Sequence, residues 1–535
     1  MPGTAAGLCR VLANYGTLPL PVVMAPAIRH AREGFPMDST LAGLVLDSME
    51  SLLNEPELAE LYMMDGFPKM EGDILVQPQL ADVLQRIAER GADGFYRGET
   101  AQALADGVTR RGGSLTLEDL ASFEPVVSAP VRGTYRDLEV VSAPAPHSGA
   151  TLIEMLNMIE HLEFDPEVHY TQSAEHVHML AEIFRRATAD RTQYLGDPDF
   201  MRTPITAMIS KDYARERLSR INPYRADPLN YRDTPSGPVG KYDTFVTAAA
   251  GWSSTPLERR DWSDVDNDDL DLRSPFHDAF NRWDRTHRAH SDAEPVQIAS
   301  AEPIAEPAWT PIWDADDEEA QRGVRRLLND PFERWNHGAD EETECEGPHT
   351  THLSVIDADS NMVALTQTLG NFFGSSVMIN GILLNNGGVN FSNLSRANII
   401  RPNKRPRSSL TPTLLFRDGA PFMSLGSPGA GRIISTVAQV IVNIADYGMD
   451  LQPANDAPRV FCDKNDDFLY LEARVGEDVP GLLARKGHTV FVLGDMDLFF
   501  GGVQMTAIWP GTGELLGSAD ARRGGSWRSF DAAQR

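Results

Sequence analysis

The chain has 535 residues, 41% of them hydrophobic, and a formal net charge of −29. That length exceeds one ordinary core and implies two or three domains or one large layered one, while the apolar share excludes wholesale disorder. So acidic a chain excludes a nucleic-acid partner, because gripping phosphates needs clustered Lys and Arg.

The first residues, MPGTAAGLCRVLANYG, hold no basic stretch followed by an apolar run, so no signal peptide is read there. Residues 1–240 read as mixed, mostly helical and globular. Ala81–Arg90 has the apolar spacing of an amphipathic helix, and Thr116 heads a T-L-E-D pattern that caps a helix over Leu117–Ala121. A short strand is expected over Leu138–Val141. His147-Ser148-Gly149 then leads into an apolar helix from Thr151 to His161, and a long helix runs from Ala174 to Asp190.

Residues 241–349 break this texture. Between 251 and 349 stand 25 acidic and 10 basic residues, net −15, punctuated by prolines. Such self-repelling sequence reads as an acidic, partly disordered linker. Six of the eight tryptophans lie in it, so short stretches have the means to dock on a surface. Three scattered cysteines, Cys9, Cys345 and Cys462, offer neither zinc spacing nor a disulfide framework. The longest apolar stretch, Ile433–Ala445, is too short and too interrupted to span a bilayer.

From His349 the sequence becomes strand-rich and glycine-punctuated. Thr350–Ile356 and Met362–Thr368 flank the turn-type cluster D-A-D-S-N, which predicts a hairpin centred on Asp359. In that register Thr350 faces Thr368, and directly opposed residues have Cβ atoms about 4.5–5.5 Å apart. A threonine hydroxyl needs a base to act as a nucleophile. If the chain is cut before Thr350, the new α-amine, with an ordinary pKa of about 7.7–8.0, lies beside Oγ and suits that work. Cross-strand Thr pairs are also ordinary strand chemistry, so the hairpin alone leaves catalysis open.

Gly426-Ser427-Pro428-Gly429-Ala430-Gly431-Arg432 follows a strand over Pro421–Leu425 and precedes a helix over Ile433–Asp446. Glycines there allow backbone N–H groups to face a ligand, as an oxyanion hole requires, or simply make a tight turn. It is not a nucleophile elbow, because Leu425 stands where that motif needs Gly, and its glycine spacing is wrong for a dinucleotide fingerprint. Ser408 and Ser409, in a rigid polar stretch from Pro402 to Thr413, have hydroxyls suited to a carboxylate or to decorating a loop.

Together these segments resemble the γ-glutamyltransferase family. The resemblance rests on T-T-H-x-S-V-x-D-x-x-x-N at Thr350–Asn361, T-x-T at Thr366–Thr368, F-G-S at Phe373–Ser375 and G-I-L-L-N-N at Gly381–Asn386. P-N-K-R-P-x-S-S at Pro402–Ser409, G-S-P-G at Gly426–Gly429 and, upstream, Y-L-G-D-P-D-F at Tyr194–Phe200 follow in the family's order.

The resemblance implies an α+β fold, the four-layer αββα sandwich of N-terminal-nucleophile hydrolases. It divides the chain into a large-subunit-like region 1–240, the acidic insert 241–349 and a small-subunit-like catalytic region 350–535. It implies self-cleavage of the His349–Thr350 bond, the two fragments staying associated as a heterodimer. Thr350 would attack a γ-glutamyl amide such as that of glutathione and pass the acyl group to water or to an amino acid or peptide. Thr368 would orient Oγ, the N–H groups of Gly429 and Ala430 would hold the oxyanion, and Ser408 and Ser409 would bind the substrate α-carboxylate. No cofactor and no metal are implied.

Three departures loosen the glutamyl assignment. Asn390 stands where the family has the acid that grips the α-ammonium, and Gly370 stands where it has an asparagine. The chain also begins within what resembles the large subunit, so the family's carboxylate-binding arginine is expected to lie in a missing part. The alternatives are therefore an acylase of the same fold with a non-glutamyl donor, or an inactive truncated remnant. The compartment is periplasmic or extracellular if a signal peptide stood in the missing part, and cytoplasmic otherwise.

Overall fold

The computed structural model describes residues 2–242, 349–392, 395–509 and 511–530. The acidic insert expected over 241–349 thus lies almost wholly outside the described residues, as does Cys345; Cys9 and Cys462 are free thiols. The chain divides into two compact units.

The described part of the smaller unit is Tyr96–Phe123. Its helix α1 (Gly98–Arg110) buries Ala101, Leu104 and Ala105. The expected cap is present: Thr116 Oγ1 accepts from Asp119 N at 3.0 Å, and the Asp119 carboxylate accepts from Thr116 N at 2.9 Å. Both orphan donors at that helix start are satisfied reciprocally.

The larger unit is organised by a six-stranded antiparallel sheet. Its strands are β1 (Val131–Tyr135), β2 (Leu138–Ser142), β5 (Thr413–Arg417), β6 (Ala420–Gly426), β7 (Gln504–Ile508) and β8 (Leu515–Ala519). The hairpin strands β3 (His349–Ile356) and β4 (Met362–Gly370) stand apart from it. The sheet order is β8-β7-β6-β5-β2-β1.

Strand alternation gives this sheet two different faces. Leu138, Val140, Leu415, Met423, Leu425, Met505 and Ala507 point into one core with helices α2 (Gly149–Ile159), α3 (Ala174–Tyr194) and α5 (Arg432–Ala445). Every residue of α2 is buried, which is why its sequence lacks the polar stripe of a surface helix. Helix α4 (Lys211–Ser219) adds Ala214 to the same core.

The opposite face receives the hairpin. Ser424 Oγ donates to Val363 O at 2.7 Å, and Ser354 Oγ donates to Gln504 O at 3.1 Å. These serines interrupt apolar strands, and each finds a backbone acceptor across the layer boundary.

Candidate active site

The hairpin has the register expected from its turn. Thr350 faces Thr368, His352 faces Thr366, and Ile356 faces Met362. The polar cluster closes the turn, since Asp357 Oδ1 accepts from the N–H groups of Asp359 and Asn361, both at 2.9 Å. The ladder slips between His349 and Thr350, so Gly370 rather than Leu369 faces His349. The expected scissile bond therefore sits at a β-bulge, a device that re-aims backbone at the end of a ladder.

Gly370 makes this bulge possible. Its φ is +92°, and a Cβ there would lie 1.9 Å from Asn386 Oδ1. Asn386 Oδ1 accepts from Asn371 N at 2.9 Å, so its side chain fills the space that any side chain at position 370 would need. Gly370 N donates to Thr368 Oγ1 at 2.9 Å, anchoring the second threonine.

His352 shows which way the threonines face. Its buried ring bonds to Thr366 Oγ1 at 2.7 Å and Ser354 Oγ at 2.9 Å, and lies directly on Gly426. Burial pushes this imidazole down to about 3, so it is neutral at physiological pH. Side chains two residues apart share a face, so Thr350 and Thr368 point the same way as His352 and Thr366. The hairpin crosses Ser424 at Val363 and Gly426 at His352. Continuing in that direction, the threonine pair overhangs the C-terminal end of β6, with Thr350 half-buried and Thr368 exposed.

The glycine turn begins at that same strand end. Gly429 has φ +132° and Ala430 φ +53°, both in the left-handed region. Ser427 braces the turn, accepting from Gly502 N at 3.0 Å and donating to Pro428 O at 2.6 Å. The carbonyls of Gly429 and Ala430 accept from Arg432 N and Ile433 N at 3.1 Å, opening α5. Neither the Gly429 nor the Ala430 N–H finds an acceptor among the described residues. Two adjacent unpaired donors at the positive end of a helix form a place for an oxyanion.

The serine pair splits. Ser409 is buried, and its Oγ accepts from Arg191 Nη2 at 2.8 Å, while Arg191 Nε donates to Ser148 Oγ at 2.8 Å. Ser408 is half-buried, and its Oγ accepts from Leu410 N at 3.3 Å. The stretch is clamped by Arg405, which pairs with Asp197 at 2.5 Å and Asp199 at 2.8 Å. Burial pushes Asp197 up, but the bonds from Arg405 outweigh it and hold the carboxyl below its usual range. Arg191 escaped sequence reasoning because it falls one residue beyond the expected end of the long helix, and nothing in the spacing showed that this end is buried. Asn390 ends a 3-10 turn, half-buried, its side-chain amide without a partner among the described residues.

One trio among the described residues has metal-ligand chemistry: His178, Glu182 and His488. Its donors are already used. His178 Nε2 bonds to Asn222 O at 2.7 Å, His178 Nδ1 to His488 Nε2 at 2.7 Å, and His488 Nδ1 to the Tyr231 hydroxyl at 2.6 Å. Glu182 is held between Arg185 and Arg186. The two histidines belong to a buried hydrogen-bond chain, and a cation would have to displace both arginines from Glu182.

The sequence profile of the family described as Gamma-glutamyltranspeptidase matches residues 1–252 and 314–529. The chain is 32% identical to the glutathione hydrolase proenzyme of Escherichia coli (strain K12), over 97% of this chain and 73% of that protein. It is 29% identical to the acylase ACY 1 proenzyme of Pseudomonas sp. (strain SE83), over 92% of this chain and 68% of that protein. Its fold is shared with the crystal structure of cephalosporin acylase from Bacillus halodurans, with TM-score 0.71 and 23% identity over 99% of this chain and 78% of that one. No helix among the described residues is long and apolar enough to cross a membrane.

Proposed function

The chain belongs to the gamma-glutamyltranspeptidase family and has its αββα N-terminal-nucleophile fold; from that premise we propose that it matures by cutting the His349–Thr350 bond and then uses Thr350 to cleave γ-glutamyl amides such as glutathione. The family is one of amide-bond hydrolases and acyltransferases, so the enzyme class follows from membership. The substrate and the nucleophile are the proposal.

The new α-amine takes the Thr350 Oγ proton as Oγ attacks the carbonyl, and later returns it to the leaving amine. Thr368, facing Thr350 and anchored by the Gly370 N–H, orients the attacking oxygen. The Gly429 and Ala430 N–H groups receive the charge on the carbonyl oxygen. Ser408 donates to the donor's carboxylate, with Ser409 held behind it by Arg191. Water or an amino acid then takes the acyl group. The observation that carries this reading is the Thr350–Thr368 register with a bulge at the scissile bond.

Both fragments stay together after the cut. The sheet interleaves them, with β1 and β2 from one fragment and β5 to β8 from the other. The ladder between β2 and β5, the Arg136–Asp446 pair at 2.7 Å and the Arg405–Asp197 pair all cross the cut.

Denaturing electrophoresis tests the reading. Wild type should resolve into two fragments, and Thr350→Ala into one band without turnover of γ-glutamyl-p-nitroanilide. A Thr350→Ala chain that still matures would falsify the nucleophile assignment. Asn390 favours a second reading, an acylase with a non-glutamyl donor, because an amide supplies no charge to hold an α-ammonium. Matured wild type inert toward the γ-glutamyl anilide would select it.

A further inference from the structure

We propose that His147 joins Ser408 in binding the carboxylate of the acyl donor. This rests on the proposed function only in taking that donor to carry a carboxylate on its acyl part.

His147 and Ser408 are paired in a parallel bridge, with Ser408 N donating to Pro146 O at 3.0 Å. Bridge partners lie side by side with their side chains on one face, and along the extended segment at Ser408 the next residue turns to the other. That alternation is visible: Ser148 and Ser409 both turn inward to Arg191. His147 and Ser408 therefore share the side away from Arg191.

Both offer groups without partners. Leu410 N–H occupies the acceptor side of Ser408 Oγ, leaving that hydroxyl to donate. Among the described residues neither His147 Nδ1, which is sealed from solvent, nor its Nε2 has a partner. Buried polar atoms of this kind are rare unless a ligand or water takes them. Burial, with the nearby Arg405 charge, pushes the imidazole down to about 4, so at neutral pH it presents one N–H and one lone pair.

The pair lies off the sheet end where the threonines and the glycine turn meet. Ser142 ends β2 five residues before His147 and pairs with Thr413, which opens β5 five residues after Ser408. Thr413 in turn pairs with Leu425, the residue before Gly426. Two neutral donors side by side suit the two oxygens of a carboxylate, whether or not an α-ammonium stands beside it.

Three p-nitroanilides separate the contributions: γ-glutamyl, glutaryl (carboxylate without ammonium) and 4-aminobutanoyl (ammonium without carboxylate). In matured enzyme, His147→Ala and Ser408→Ala should each raise KM about tenfold or more for the first two, the scale of a lost hydrogen bond to a charged group. KM for the third should stay unchanged. His147→Gln, which keeps a donor, should recover part of the loss, and fragment formation on a gel reports that each variant folded. An unchanged KM in His147→Ala, or an equal rise for all three donors, overturns the proposal. If wild type cleaves the glutaryl but not the γ-glutamyl anilide, the glutamyl assignment fails and His147 is judged on the glutaryl donor. If wild type cleaves neither, calorimetry with glutarate decides: binding lost in His147→Ala supports the site, and equal or absent binding in wild type overturns it.

Discussion

Gly426→Ala tests how the hairpin is seated. An added Cβ would lie 2.4 Å from His352 Cε1, 2.5 Å from its Nδ1 and 2.9 Å from its Nε2. Carbon atoms in contact prefer about 3.5–4.0 Å, so the ring or the hairpin must retreat by about 1 Å. Gly426 does not have a left-handed φ, so alanine is not strained by the backbone and the substitution isolates this contact. Turning the ring would break its bonds to Thr366 and Ser354. Each buried group left unpaired costs about 1–3 kcal/mol, and overpacking alone costs about as much. The expected destabilisation is about 2–4 kcal/mol, read as a lower urea midpoint in an uncleaved Thr350→Ala background. With Thr350 intact, the shift moves the proposed nucleophile relative to the turn, and misplacement by about 1 Å can slow chemistry about a hundredfold, so fragment formation should slow markedly. Removing the ring as well, in Gly426→Ala with His352→Ala, should recover at least about 1 kcal/mol relative to additivity. A Gly426→Ala chain that is as stable and as quick to cleave as wild type would refute the seating of His352 on β6, and with it the placement of Thr350 over the turn.

A buried histidine pair and a buried glutamate give further expectations. Burial holds both His178 and His488 below the ordinary histidine range, His488 down to about 3. The unfolded chain takes up protons below about pH 6.5 while the folded pair does not, so stability is full above that pH and falls as acid approaches 3. Urea midpoints should drop from pH 8 to pH 5 with a smaller slope in His488→Gln, and an unchanged slope in the variant would count against the neutral chain. Glu154 is the opposite case: fully buried, both oxygens without a hydrogen-bond partner among the described residues, with its pKa raised well above normal by burial and by Asp190. Asp190 is itself bonded to Arg217, the Tyr213 hydroxyl and the Gly237 N–H. Glu154 therefore stays protonated in the fold, and the unfolded chain gains on it as pH rises above about 4.3. Glu154→Gln should match or exceed wild-type stability at pH 8, by a margin that grows with pH, and a loss that grows with pH would contradict a neutral acid there.

Local patterns were legible in the sequence wherever one strong signal dominated. The D-A-D-S-N turn carried the hairpin register through to Thr350 opposite Thr368 because its polar side chains satisfy the turn themselves. The T-L-E-D cap was legible for the same reason. The long helix was expected to stop at Asp190 but continues to Tyr194, because buried charge there is paid for by tertiary partners that no periodicity reveals. Arg191 reads as a helix-ending surface cation until Ser148 and Ser409 are seen bonded to it. The bulge at Gly370 was equally hidden: sequence showed a missing asparagine, whereas the structure shows the Asn386 side chain standing in its space.

The serine pair shows where the sequence limit falls. Adjacent hydroxyls suggest joint grip on one carboxylate, but in extended backbone neighbours face opposite ways, so adjacency argues against a shared ligand. What decides the outward residue is the partner on the inward side. Arg191 takes Ser409 and Ser148 inward, which leaves Ser408 and, across the bridge, His147 on the other face. His147 and Ser408 are 261 positions apart on segments that the proposed cut would place in different fragments. Nothing in the spacing of either segment joins them. The proposed carboxylate site would thus be a property of the assembled fragments, and a fragment 350–535 expressed alone would hold its threonine, its turn and only half of that grip.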